Sequence, residues 1–128
     1  MTNIKNGTFK YCSNLTDITI PNGLTRVGES AFEGCYKLIK IDFPEGVTSI
    51  EKNTFSGCSS LKNMTLPDSL KKIESGAFDY CSELSRIILP DNLISIGDGA
   101  FSQCRNLIDI EIPESVTSIG AVSYTHLR

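Results

Sequence analysis

One interval governs this sequence, and it is 23 residues long. Cys12, Cys35, Cys58, Cys81 and Cys104 are spaced by it, and so are Pro21, Pro44, Pro67, Pro90 and Pro113. Phe9, Phe32, Phe55, Phe78 and Phe101 keep the same step. Every cysteine and every proline of the chain falls on this lattice, which chance would very rarely produce. Self-similarity at such a period is the signature of stacked supersecondary units rather than of one irregular domain.

The apolar residues complete the unit. Leu15, Leu38, Leu61, Leu84 and Leu107 form one column, and Ile18, Ile41, Met64, Ile87 and Ile110 a second. Ile20, Phe43, Leu66, Leu89 and Ile112 form a third. Two further columns follow each proline: Leu24, Val47, Leu70, Leu93 and Val116, then Val27, Ile50, Ile73, Ile96 and Ile119. The unit reads A-F-x-x-C-x-x-L-x-x-I-x-[IL]-P-x-x-[LV]-x-x-I-x-x-x, with the alanine variable.

Each part implies a local structure. The end of L-x-x-I-x-[IL] alternates with period 2, so its apolar residues point to one face of a short strand. Proline has no N–H and ends the ladder there. The pair that follows (Asn-Gly, Glu-Gly, Asp-Ser, Asp-Asn or Glu-Ser) predicts a turn with proline at its second position. Segments such as Val47-Thr48-Ser49-Ile50 predict a second extended stretch. The A-F-x-x-C-x-x-L spacing predicts one or two helical turns that bury Phe, Cys and Leu together. A single unit has no second layer to cover its faces, so stability must come from its neighbours. The expected fold is a solenoid, β-rich with short helical turns, of five stacked 23-residue repeats whose equivalent residues lie about 4.8 Å apart.

Segments such as Ala77-Phe78-Asp79-Tyr80-Cys81-Ser82-Glu83-Leu84, followed by Ile87-Ile88-Leu89-Pro90, resemble the BspA-like leucine-rich repeats, in the α/β horseshoe class. The resemblance runs from about Ile4 to Gly120. Other leucine-rich repeats carry an Asn or Cys ladder soon after the strand. That neighbourhood here holds Gly23, Gly46, Ser69, Asn92 and Ser115, so the ordinary asparagine ladder is absent. The resemblance implies a large cell-surface or secreted microbial protein, acting in adhesion and binding to host surface or matrix proteins.

The ends of the pattern bear on the domain organisation. Ile4 matches Val27, so the chain opens midway through a repeat, and the last clean lattice residues are Ile119 and Gly120. Residues 1–120 are therefore expected to form one domain with partial repeats at both ends, cut from a longer array whose neighbouring repeats would cover it. Residues 121–128 form an irregular tail with two readings: a degenerate half-repeat with Tyr124 in place of Phe, or non-native sequence, the second being favoured.

Composition excludes several roles. The net charge is −3 with both signs mixed along the chain, which gives no basic patch for nucleic acid. No stretch reaches the 18 or so apolar residues of a membrane span, so direct membrane insertion is not expected. The opening residues lack the charged and apolar regions of a signal peptide.

Few residues suggest chemistry. Three readings of the cysteine column exist: buried free thiols acting as small hydrophobes, disulfides between neighbouring repeats, and a metal site. The first is favoured, because stacked equivalents point the same way and a line of ligands does not surround a metal. The one histidine, His126, lies in the tail, so Ser-His-Asp and Cys-His catalysis have no candidate base. Asp109 and Glu111 share a strand face, as paired carboxylates of glycoside hydrolases do, but nothing around them would raise one carboxyl's pKa. No cofactor is expected. Asn6, Asn14 and Asn63 begin N-x-T sequons, which matter only in a glycosylating host.

The remaining candidate is the outward face of the strands: Asp17 and Thr19, Lys40 and Asp42, Asn63 and Thr65, Arg86 and Ile88, Asp109 and Glu111. Arg86 beside Ile88 has the composition of an interface core. These positions predict a non-catalytic protein-binding module. The alternative is a structural spacer that presents other domains.

Overall fold

The protein is described by a computed structural model over residues 3–107 and 110–121. The chain coils into a parallel β-solenoid of about five turns. The strands are β1 (Asn3–Ile4), β2 (Asp17–Thr19), β3 (Arg26–Val27), β4 (Lys40–Asp42) and β5 (Ser49–Ile50), then β6 (Asn63–Thr65), β7 (Lys72–Ile73), β8 (Arg86–Ile88), β9 (Ser95–Ile96) and β10 (Ser118–Ile119). One sheet runs β2-β4-β6-β8, another β5-β7-β9-β10, and β1 pairs with β3.

Register follows from the lattice. Ile18 faces Ile41, Met64 faces Ile87, Ile50 faces Ile73, and Ile73 faces Ile96. Every such pair is one repeat apart. A slip of one residue would send each apolar side chain to the solvent side, so burial holds the register.

The A-F-x-x-C segment departs from expectation, because no helix forms among the described residues. The reason lies in its amides. Alternate N–H groups point along the solenoid axis: Ser30 donates to Lys52, Phe32 to Thr54 and Gly34 to Ser56, at 2.8–2.9 Å. The amides between them bond back three residues, as Ala31 to Gly28, Glu33 to Ser30 and Cys35 to Phe32 do. A continuous helix would need all of them internally. Two residues per coil adopt left-handed backbone to permit this, such as Ser30 and Gly34 (φ 58° and 72°) or Gly76 and Tyr80 (φ 66° and 60°).

The turn after each strand also differs. The proline carbonyl accepts from Leu24, Leu70, Leu93 and Val116 at 3.1–3.4 Å, so proline is the first residue of the turn and not the second. A residue before proline is held extended, which keeps the strand running up to it and leaves the next two residues to make the corner.

The core is one continuous column. Phe9, Phe32, Phe55, Phe78 and Phe101 stack with centroids 5.3–5.5 Å apart and interplanar angles of 12° or less. Leu38, Leu61, Leu84 and Leu107 are buried beside them. Thr54 replaces alanine in its column and remains buried because its hydroxyl donates to the Glu51 carbonyl at 2.8 Å. Burial weakens towards both ends, where Phe9, Cys12 and Leu15 are half-buried and Ile112 and Ile119 exposed.

Candidate functional site

The alternation of the strands sets out the expected surface. In β4, β6 and β8 the middle residue is buried and both flanking residues are exposed. In β2 the flanks are exposed around a half-buried Ile18. Asp17, Lys40, Asn63 and Arg86 thus form one outward column, and Thr19, Asp42, Thr65 and Ile88 a second beside it. Glu111 is exposed, while Asp109 lies outside the described residues, as does His126. The structure brings the first eight together as a continuous row.

On this face three-residue strands span about 10 Å, so the four described strands project on the order of 200 Å². Its charges are weakly engaged: Lys40 and Asp42 approach to 4.0 Å while both stay largely in solvent. Ile88 is 66 % exposed, the most of any large apolar residue described. With Arg86 and Glu111 it lines a cleft of about 770 Å³.

The cysteines form a ladder that residue types alone did not reveal. All five are free, and all but Cys12 are buried. The thiol of Cys35 donates to the Phe9 carbonyl at 3.1 Å; Cys58 donates to Phe32, Cys81 to Phe55 and Cys104 to Phe78 at 3.0–3.2 Å. Burial is the main cause that pushes these thiols up, in Cys104 to about 12 and in Cys81 well above the usual value. A thiol kept protonated is a donor and not a nucleophile or metal ligand, so this column stitches coils together. Ser69 does related work where an asparagine ladder would stand, its hydroxyl donating to the Val47 carbonyl at 2.7 Å.

A second concave region lies over the A-F-x-x-C turns. A trough of about 570 Å³ crosses all five coils there, lined by Tyr11, Glu33, Gly34, Tyr36, Ser56, Gly57, Ser59, Tyr80, Ser82, Gln103 and Arg105. Tyr11 and Tyr80 stand at left-handed backbone (φ 61° and 60°), where a side chain costs about 1–2 kcal/mol. Sequence reasoning passed over this region. The available signal was the lattice position Tyr11, Gly34, Gly57, Tyr80, Gln103, which is the reverse of a conserved core column because it alternates large and absent side chains.

Asp79 lies beside this trough. One of its carboxylate oxygens is buried without a hydrogen-bond partner. Burial pushes its pKa up, against hydrogen bonding from Ser102 and Tyr80. Among the described residues no three His, Cys, Asp or Glu side chains converge as a metal site, and no helix is long and apolar enough to cross a membrane.

Short parallel strands stacked coil on coil, a buried leucine column and a 23-residue step define a leucine-rich-repeat solenoid. A family model described as the BspA type leucine rich repeat region matches residues 2–127 in six copies, and the chain belongs to that family. Among solved structures it is similar to a leucine-rich repeat protein from Eubacterium ventriosum, with 28% identity and a TM-score of 0.90 over 98% of this chain and 34% of that one. It is also similar to the leucine-rich repeat protein of T. pallidum, with 29% identity and a TM-score of 0.76 over 93% of this chain and 66% of that one. A leucine rich cell surface protein from Faecalibacterium prausnitzii matches with 27% identity and a TM-score of 0.79, over 97% of this chain and 30% of that one. The chain thus spans about a third of the length of the Eubacterium and Faecalibacterium proteins and two thirds of the T. pallidum one. No curated protein matches it.

Proposed function

We propose that this chain is a non-catalytic protein-binding module of a microbial cell-surface or secreted protein, and that it contributes to adhesion through the outward row of β2, β4, β6 and β8. The observation that carries this reading is the pair Arg86 and Ile88 on β8. A strongly exposed isoleucine beside an unpaired-charge-capable guanidinium, on a row of otherwise polar residues, has the make-up of an interface anchor within a polar rim. The family and the description of the Faecalibacterium relative as a cell surface protein support the setting. The area is well short of the roughly 800 Å² per partner of a standard interface, so the contact is partial, with neighbouring repeats of a longer parent supplying the rest.

The test is binding of the immobilised chain to a panel of extracellular-matrix proteins, with the wild type compared to an Arg86→Ala/Ile88→Ala double variant. A matrix protein held by the wild type and lost by the variant supports the reading. Equal binding by both, or none by either, favours the spacer role.

A further inference from the structure

The trough over the turns has a composition unlike the strand row, with which it shares no residue. Its floor includes Gly34 and Gly57, and Tyr11 and Tyr80 flank these two glycines at the same lattice position. Three repeat steps separate the two tyrosines, about 15 Å at the usual strand spacing. Tyr11, Tyr36 and Tyr80 are each half or more exposed (57 %, 50 % and 58 %). The Tyr11 ring lies over Gly34, where any Cβ would collide with it. The Tyr11 ring thus rests on Gly34 with much of its surface in solvent, and Gly57 beside it leaves an uncovered stretch of floor.

The chemistry of the walls narrows the ligand. The hydroxyls of Ser59 and Ser82, the carboxamide of Gln103 and the guanidinium of Arg105 line the trough together with the rings, three neutral hydrogen-bonding groups and one planar cation. The lining carries one charge of each sign, Glu33 and Arg105; Lys10 stands 3.9 Å from Glu33, and Arg105 donates to the Gln103 carboxamide at 3.4 Å. A peptide laid in the trough would want backbone partners, yet the amides of Tyr11, Gly34, Gly57 and Tyr80 are already spent on the next coil. The glycine floor also offers no apolar socket for a peptide side chain. A ligand with apolar C–H faces, hydroxyls around its rim and no charge fits both features, since tyrosine combines a flat apolar face with a polar tip.

We propose that this trough is a saccharide-binding site that takes a short stretch of an uncharged linear polysaccharide, the pyranose faces lying on Tyr11, Tyr36 and Tyr80. The site is separate from the strand row and independent of the protein-binding role assigned to it.

Native gel electrophoresis through soluble β-glucan, galactomannan, xylan or hyaluronan tests this directly. The wild-type chain is expected to be retarded in at least one neutral gel. Tyr80→Ala should weaken that association at least tenfold. Gly57→Gln should do the same by filling the floor; Gln103 occupies the same lattice position at φ 61°, and nothing lies closer than 3.7 Å to a Cβ at Gly57 (φ 75°), so the side chain meets no clash and carries only the cost of left-handed backbone. Arg86→Ala/Ile88→Ala should migrate like the wild type. Unaltered migration in every neutral gel would overturn the proposal. So would retardation in hyaluronan alone, retardation that both trough variants retain, or preferential capture of an oligoproline peptide in the same assay.

Discussion

The two sides of each coil solve the same stacking problem differently. On the turn side, alternate amides bond to the next coil and the amides between them bond back three residues, while identical phenylalanines and cysteines stack inside. On the strand side each coil contributes only three residues, and β4 meets β6 through the single register pair Asp42 and Thr65. The first side is held by repetition; the second is free to differ from coil to coil. Inward repetition thus carries stability, and variability is left to outward positions, on the strand row and at the trough position of Tyr11, Gly34, Gly57, Tyr80 and Gln103.

The sharpest way to break that comparison is at the centre of the stack. Phe55→Ala removes ring contacts to Phe32, Phe43 and Phe78, and should destabilise by about 3–5 kcal/mol in urea unfolding. A cost below that of a surface substitution would mean that the stack is not the source of cohesion.

The thiol ladder gives a graded test. Cys81→Ala removes a fully buried donor and should cost about 1–2 kcal/mol, whereas Cys12→Ala, at a half-buried position, should cost clearly less. Equal losses would detach the ladder from stability. The sign of its pH dependence follows from the raised pKa values: the thiols are protonated in both states below about 9 and ionise first in the unfolded chain above it. Stability should therefore hold up to pH 9 and fall progressively towards 12, the window set by Cys104.

Asp79 marks the turn side's own exception. It stands in the column of Ser56 and Ser102, with one oxygen buried and unpartnered. Asp79→Ser should stabilise the fold by up to about 1 kcal/mol after solvent screening is allowed for, read as a raised thermal midpoint. Its carboxyl titrates above the usual range, so the wild type should gain stability as pH falls through the raised value towards 3.8, and the variant should lose that gain. A lower midpoint in the variant would show that the carboxylate is a net contributor.

The smallest effect is expected on the strand row. Arg86→Ala and Ile88→Ala should each shift stability by no more than about 0.5 kcal/mol, because both side chains stand in solvent. A larger loss would place the row within the folding core and remove the contrast altogether.

Much of this architecture was legible in the 23-residue step. The columns headed by Phe32, Leu38, Ile41 and Ile50 are buried, and the outward residues of β2, β4, β6 and β8 are exposed, because strand alternation and lattice spacing leave one way to bury them. The turn was misjudged because Phe32 and Cys35, three residues apart, suit a helix and a chain of tight turns equally. Only the destination of the Phe32 and Gly34 amides decides between them, and it lies in another repeat. Proline's place in the corner was likewise hidden, since Pro-x-x permits either turn register. The tyrosine trough escaped because its meaning comes from contrast between repeats, Gly34 and Gly57 against Tyr11 and Tyr80, rather than from their agreement.

The bonds between coils also have a direction. Strand ladders and turn amides both run along the solenoid axis, from each coil to the next. A tensile load applied to the two ends therefore meets them in series, and the weakest junction yields first while the others stay closed. Each coil that peels away releases 23 residues, up to about 75 Å of slack. Under shear flow such a chain behaves as a stepwise shock absorber, and pulling on single molecules would display it as a sawtooth with one tooth per coil.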